Sequence, residues 1–142
     1  MTERNFIDPQ DVEGFAFDWG HLSLNVGPKV DGAGKFSAGV VHVPPGQGHS
    51  RHNHPGAEGI IHVLAGLAEQ MAEDADGTPV TRQVRQGCTV FVPESRFHAT
   101  LNTGADPLAL FNVTSPIGPE AVLRCLSDFR LIPPGTPPGT PP

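Results

Sequence analysis

The chain has 142 residues, a formal charge of -6 and 37% hydrophobic residues, with 17 glycines and 16 prolines. That length makes one domain with its own core, and the Gly and Pro content suits a turn-rich β protein better than a helical one. An acidic balance without any run of Lys or Arg excludes nonspecific nucleic-acid and anionic-membrane surfaces as partners.

No stretch reaches the roughly 20 apolar residues of a membrane-spanning helix. The start, MTERNFIDPQD, lacks the apolar segment and small-residue cleavage site of a secretory leader, so a cytoplasmic location is expected. Cys88 and Cys125 fit no metal-pair spacing and read as reduced structural thiols.

In chain order, residues 1–14 are polar and read as an irregular arm. Phe15, Phe17 and Trp19 alternate with Ala16 and Asp18, and Leu22, Leu24 and Val26 alternate with Ser23 and Asn25, which predicts two strands. Gly27-Pro28 and Asp31-Gly32 mark turns. A strand over 36–43 ends at Pro44-Pro45-Gly46, because Pro cannot donate to a ladder. Ile60 to Leu64 is a continuous apolar run and predicts a buried strand; Leu67 to Glu73 continues the sheet, although its Ala, Glu and Met are also helix-compatible. Asp74 to Gly77 is a polar turn, and Val80 to Val84 returns as a strand. Runs over 89–92, 97–101 and 108–113 predict three more strands. Pro119 opens a short helix to Leu126, with Leu123, Leu126 and Phe129 spaced to pack it on the core. No strand-helix-strand alternation occurs, so the pattern favours a barrel or jelly roll over a parallel α/β fold.

Two stretches carry the chemistry. GQGHSRHNHPGAEGIIHVLAG, residues 46–66, holds His49, His52, His54 and His62. On an extended strand His52 and His54 share a face and can converge on one ion. GCTVFVPESRFHATLN, residues 87–102, joins two short strands by a tight turn and places His98 at the start of the second. Neutral imidazole suits Fe, Zn, Cu and Ni.

These stretches resemble the two motifs of the cupin superfamily. Gly46, His52, His54 and Glu58 match the first motif in type and spacing; Gly87, Pro93, His98 and Asn102 match the second, with Ser95 where that motif has Gly. The resemblance implies an all-β fold, a single jelly-roll barrel over residues 15–131 with a short C-terminal helix. It makes His52, His54 and His98 metal ligands. Glu58 is the family's fourth ligand by position, but seven residues separate it from Gly66 where the family has six, and the family count lands on Gly59. A one-residue shift on a strand turns a side chain to the opposite face. Either a bulge restores Glu58 to the ion or the site has three His and no carboxylate. His62 then reads as a packing or surface residue.

The implied cofactor is a divalent transition metal ion: Fe, alternatively Mn, Ni, Zn or Cu. With three His the site resembles those of thiol, gentisate and β-diketone dioxygenases; with Glu58 it resembles quercetin-type dioxygenases, oxalate decarboxylases and isomerases. The leading expectation is an Fe-type dioxygenase, an oxidoreductase acting on a small oxygenated organic molecule. An alternative is a non-redox isomerase or lyase on a sugar or keto-acid type substrate, with Glu58, His49 or His62 as general base. A further alternative is a non-catalytic ligand binder in which Arg51, Arg96 and Asn102 hold an anion. A homodimer is expected, paired through sheet edges with help from the arm. Residues 132–142, with their repeated Pro-Pro-Gly-Thr, read as a flexible tail.

Overall fold

The alternation along the chain becomes eleven strands in a computed structural model that describes residues 5–136. They are β1 (Gly14–Phe17), β2 (Gly20–Val26), β3 (Ser37–Val43), β4 (Gly48–His52), β5 (Glu58–Ala65), β6 (Leu67–Glu73), β7 (Pro79–Arg85), β8 (Thr89–Val92), β9 (His98–Asn102), β10 (Leu108–Ser115) and β11 (Arg130–Ile132). A helix, α1 (Pro119–Leu123), lies between the last two strands. Seven strands form one antiparallel sheet in the order β11-β1-β2-β3-β10-β5-β8, and four form a second in the order β4-β9-β6-β7. From β3 to β10 the chain passes repeatedly between the sheets, and short Gly- and Pro-rich turns make each crossing. At the β5–β6 crossing Gly66 has φ 93°, and a Cβ there would meet Pro107 O and Leu108 Cα at 3.0 Å, so only Gly fits.

The core lies between the sheets. Phe15, Val41, Val43, Ile61, Val63, Leu108 and Leu110 from the larger sheet meet Ala68 and Val84 from the smaller one. Burying each large side chain contributes about 1.5–3 kcal/mol. On β5 the buried residues are Ile61 and Val63, while Glu58 and Ile60 are exposed, so the strand alternates as a half-buried ladder from Glu58 to Val63, before a bulge at Leu64.

Three expectations are corrected. Among the described residues no ladder joins the sheets, so the expected closed barrel is an open two-sheet jelly roll. The helix ends at Leu123; Arg124 to Leu126 continue in tight turns, and Leu126 is exposed while Leu123 and Phe129 pack on the core. Two strands are additional. β4 forms in the polar histidine stretch, and β11 covers the outer edge of β1. The arm residues that are described fold back on their own chain: Leu24 N–H donates to Glu13 O, Gly135 N–H to Gln10 O, and Arg124 pairs with Glu13. Residues 137–142, most of the expected tail, lie outside the described residues. Within the described residues no helix is long and apolar enough to cross a membrane.

Candidate metal centre

His52 and His98 face each other as direct partners in the β4–β9 ladder, with ring centroids 4.1 Å apart. His54 lies beyond the end of β4, 5.1 Å from each of the other two rings. The ligand atoms of all three lie within 4.8 Å of one another. His52 and His54 therefore converge through a turn and not through the regular strand that their spacing suggests. In that turn Ala57 N–H donates to His54 O.

Ser95 holds this loop in place. Its hydroxyl accepts from Gly56 N–H at 2.8 Å, its carbonyl from Asn53 Nδ2 at 3.0 Å, and its own N–H donates to Ala57 O at 3.1 Å. It adopts φ 62°, the left-handed conformation that the motif's usual Gly would take without strain. The substitution of Ser for Gly thus adds a side chain that ties the His54 loop to the turn before His98. The departure from the motif was visible in the sequence; its use was not, because the partner is 39 residues away.

The donor set fits a divalent transition ion. Burial lowers all three imidazoles from their usual value: His54 to about 4 and His98 to about 3, with the neighbouring rings adding to the effect, and His52 in the same direction against an opposing backbone hydrogen bond. Neutral imidazole is the form that binds metal. His52 Nδ1 donates to Ser50 O at 2.6 Å, and His98 Nδ1 makes a longer contact with Arg96 O at 3.5 Å. Those carbonyls fix the tautomer that leaves Nε2 free as the ligand atom.

A fourth imidazole joins the cluster. Between His49 and His52 two residues of β4, Ser50 and Arg51, oppose the single Ala99 of β9, and this bulge turns His49 to the face of His52. His49 is sandwiched between Trp19, at 4.3 Å, and His52, at 3.7 Å, and burial with three neighbouring imidazoles lowers it to about 3.

Glu58 lies outside this set. It occupies an outward position on β5, exposed and paired with Ser115, and no bulge returns it to the histidines. The inward position beside it is Gly59, which lines a small cavity together with His54 and His98. His62 also points outward, hydrogen-bonded to Thr89 at 2.8 Å. Arg51, Arg96 and Asn102 are engaged elsewhere. Arg51 pairs with Glu73 at 2.9 Å and lies over the Phe97 ring, and the Arg96 guanidinium donates to Ala75 O. Asn102 is buried and donates to Val43 O and Asp106 O. Cys88 packs beside the core and Cys125 is exposed; both are free thiols.

The larger of the two cavities that His54 and His98 line, about 90 Å³, runs between the sheets from the histidines toward α1. Its walls are chiefly apolar, including Trp19, Leu22, Val41, Ile61, Leu110 and Leu123. Apart from the histidines, Glu120 is its single ionisable lining residue.

The sequence model of the cupin domain matches residues 39–114. No curated protein matches the chain. Among solved structures, a predicted oxalate decarboxylase from Thermotoga maritima is similar at TM-score 0.65 and 15% identity, over 79% of this chain and 99% of that one. The oxalate decarboxylase of Lactobacillus farciminis, in a formate complex, is similar at TM-score 0.66 and 23% identity, over 82% of this chain and 36% of that one. A Bacillus halodurans protein is similar at TM-score 0.54 and 20% identity, over 60% of this chain and 65% of that one. The chain thus spans about a third of the Lactobacillus protein and just under two thirds of the Bacillus one. At these identities the likeness is one of fold.

Proposed function

The chain belongs to the cupin family, and on that premise we infer that it is a metal-dependent dioxygenase acting on a small oxygenated organic molecule. The observation that carries this reading is the donor set: three neutral imidazoles with no carboxylate among them. When bound there, a divalent iron supplies redox chemistry and open positions for both a bidentate organic molecule and dioxygen. The same donors accept Mn, Ni, Zn or Cu, so the choice of ion is part of the proposal. Ser50 O and Arg96 O orient His52 and His98, and Ser95 holds the loop of His54. The apolar walls shed water and close around the organic part of a substrate.

A non-redox lyase or isomerase is the second reading, and His49 is the observation that favours it. Its ring lines the cavity against His52, where a general base would act. The deciding assay uses iron-loaded protein in an oxygen electrode with diketone, catechol, thiol and flavonol substrates, beside zinc-loaded protein under argon. Oxygen uptake with iron alone supports the dioxygenase. Turnover by the zinc protein without oxygen sinks it in favour of the lyase or isomerase.

A further inference from the structure

Of the side-chain oxygens that are buried without a hydrogen-bond partner, two stand out among the described residues: Asn25 Oδ1 and Asn112 Oδ1. Asn25 does not line the cavity; Asn112 does. It stands on the inner face of β10, between Gly39 of β3 and Ile61 of β5, across the core from the histidines. Asn112 also lines the small cavity that Gly59 shares with His54 and His98. A buried carbonyl oxygen without a donor is costly, and such a group is retained where something else supplies the donor.

Three features of this corner act together. Gly59 puts no side chain where the family's carboxylate would stand, which leaves room beside two of the ligands. Asn112 offers an acceptor in the same space. Arg96 lines the small cavity, its guanidinium donating to Ala75 O, but no Lys or Arg lines the larger one, so a negative charge carried into the larger cavity has no partner apart from the ion itself.

We propose that Asn112 is the residue that reads the ligand, and that the ligand is a small chelator of a particular kind. Its charge is confined to the atoms that coordinate the ion, its body is apolar, and a hydroxyl or N–H next to the chelating pair donates to Asn112 Oδ1. This rests on the three-histidine reading and narrows it: a molecule that carries a second, remote carboxylate into the larger cavity is excluded, because that carboxylate would be buried unpaired.

The test uses the full chain loaded with Co(II), whose visible band reports ligands entering the coordination sphere. Acetohydroxamate chelates through two oxygens and carries an N–H; N-methylacetohydroxamate has the same chelating pair without it. The wild type is expected to bind acetohydroxamate about tenfold more tightly than the N-methyl compound. Asn112→Leu and Asn112→Val should lose that preference while taking up Co(II) as before, which also reports that they have folded. Succinic monohydroxamate, with its remote carboxylate, should bind much more weakly than butyrohydroxamate. Equal affinity of wild type and both variants for acetohydroxamate overturns the role of Asn112 and leaves the metal reading standing. Equal affinity for succinic monohydroxamate and butyrohydroxamate overturns the charge restriction. Failure of the wild type to take up Co(II) at all overturns the metal reading, and the proposal with it.

Discussion

His98 enters the core as a buried polar residue on β9, and it stays neutral because burial and two neighbouring imidazoles penalise its charged form. Removing it takes away one donor of three and the partner that faces His52. His98→Ala is therefore expected to fold and to lose the ion, read by metal analysis as a drop from about one ion per chain to almost none. A full complement of metal in that variant would remove His98 from the ligand set. The same burial has a consequence for the metal-free protein. In the unfolded chain the imidazoles titrate near 6.5; in the folded chain His49 and His98 are held at about 3 and His54 at about 4. Below 6.5 the unfolded state therefore binds protons that the folded state refuses, so stability is full above that pH and falls as the pH drops toward 4. The slope approaches about 1.4 kcal/mol per pH unit for each such imidazole. Urea melts of metal-free protein between pH 7.5 and 4.5 measure it. Replacing the buried His98 by Ala should make the slope shallower; an unchanged slope would mean that His98 does not contribute.

β5 decides the composition of the site through parity alone. Ile61 and Val63 face the core, so Gly59 also faces inward and Glu58 outward. A Cβ on Gly59 would meet Val113 O at 3.6 Å and Val92 Cβ at 3.8 Å, ordinary contacts, so a side chain can be added there. Gly59→Glu is expected to place a fourth ligand beside His54 and His98 and to tighten metal binding, whereas Glu58→Gln should leave it unchanged. Competition against a chelating dye measures both affinities. Loss of metal in Glu58→Gln would show that the strand shifts to bring that carboxylate inward. The spacing between Glu58 and Gly66 made this ambiguity readable from the sequence, but not its resolution, since a bulge is a matter of ladder geometry. A bulge does form in β5, at Leu64, since Val63 and Ala65 pair with the adjacent Leu110 and Ala109, but it lies beyond Ile61 and Val63 and leaves Glu58 outward; another in β4 brings His49 to the cluster. The strands of alternating or continuous apolar residues were legible because burial writes that pattern directly. β4 was not, because its Gly-His-Ser-Arg-His run has no apolar face, and β11 was not, because three residues are too few to show a period. The Ser95 clamp was hidden for a different reason: its hydrogen bonds join turns distant in sequence. Ser95→Gly keeps the left-handed backbone and removes only the hydroxyl, so metal affinity should fall modestly while the fold survives.

At the scale of the whole molecule, the outer face of the larger sheet has unusual composition for a chain of charge -6. Phe91 of β8, Ile60 of β5 and Val113 of β10 stand in one cross-strand row, with Phe111 and Val40 in the next. Phe91 is 58% exposed and Ile60 44%. Neither row holds a carboxylate; Glu58 is at the rim. An apolar patch of this kind marks a contact surface, and on an acidic molecule it is where a second copy can approach with least repulsion. The polypeptide arm is a weaker candidate for pairing, since Gln10 and Glu13 are hydrogen-bonded within their own chain. A homodimer is therefore expected to pair these sheet faces about a two-fold axis, each Phe91 packing on the partner copy. Light scattering at micromolar concentration should give twice the chain mass for the wild type and the chain mass for Phe91→Lys. Because Phe91 points away from the histidines, the variant should still bind about one ion. A wild-type protein that scatters as a monomer would sink the dimer, and a Phe91→Lys variant that remains dimeric would move the contact off this face.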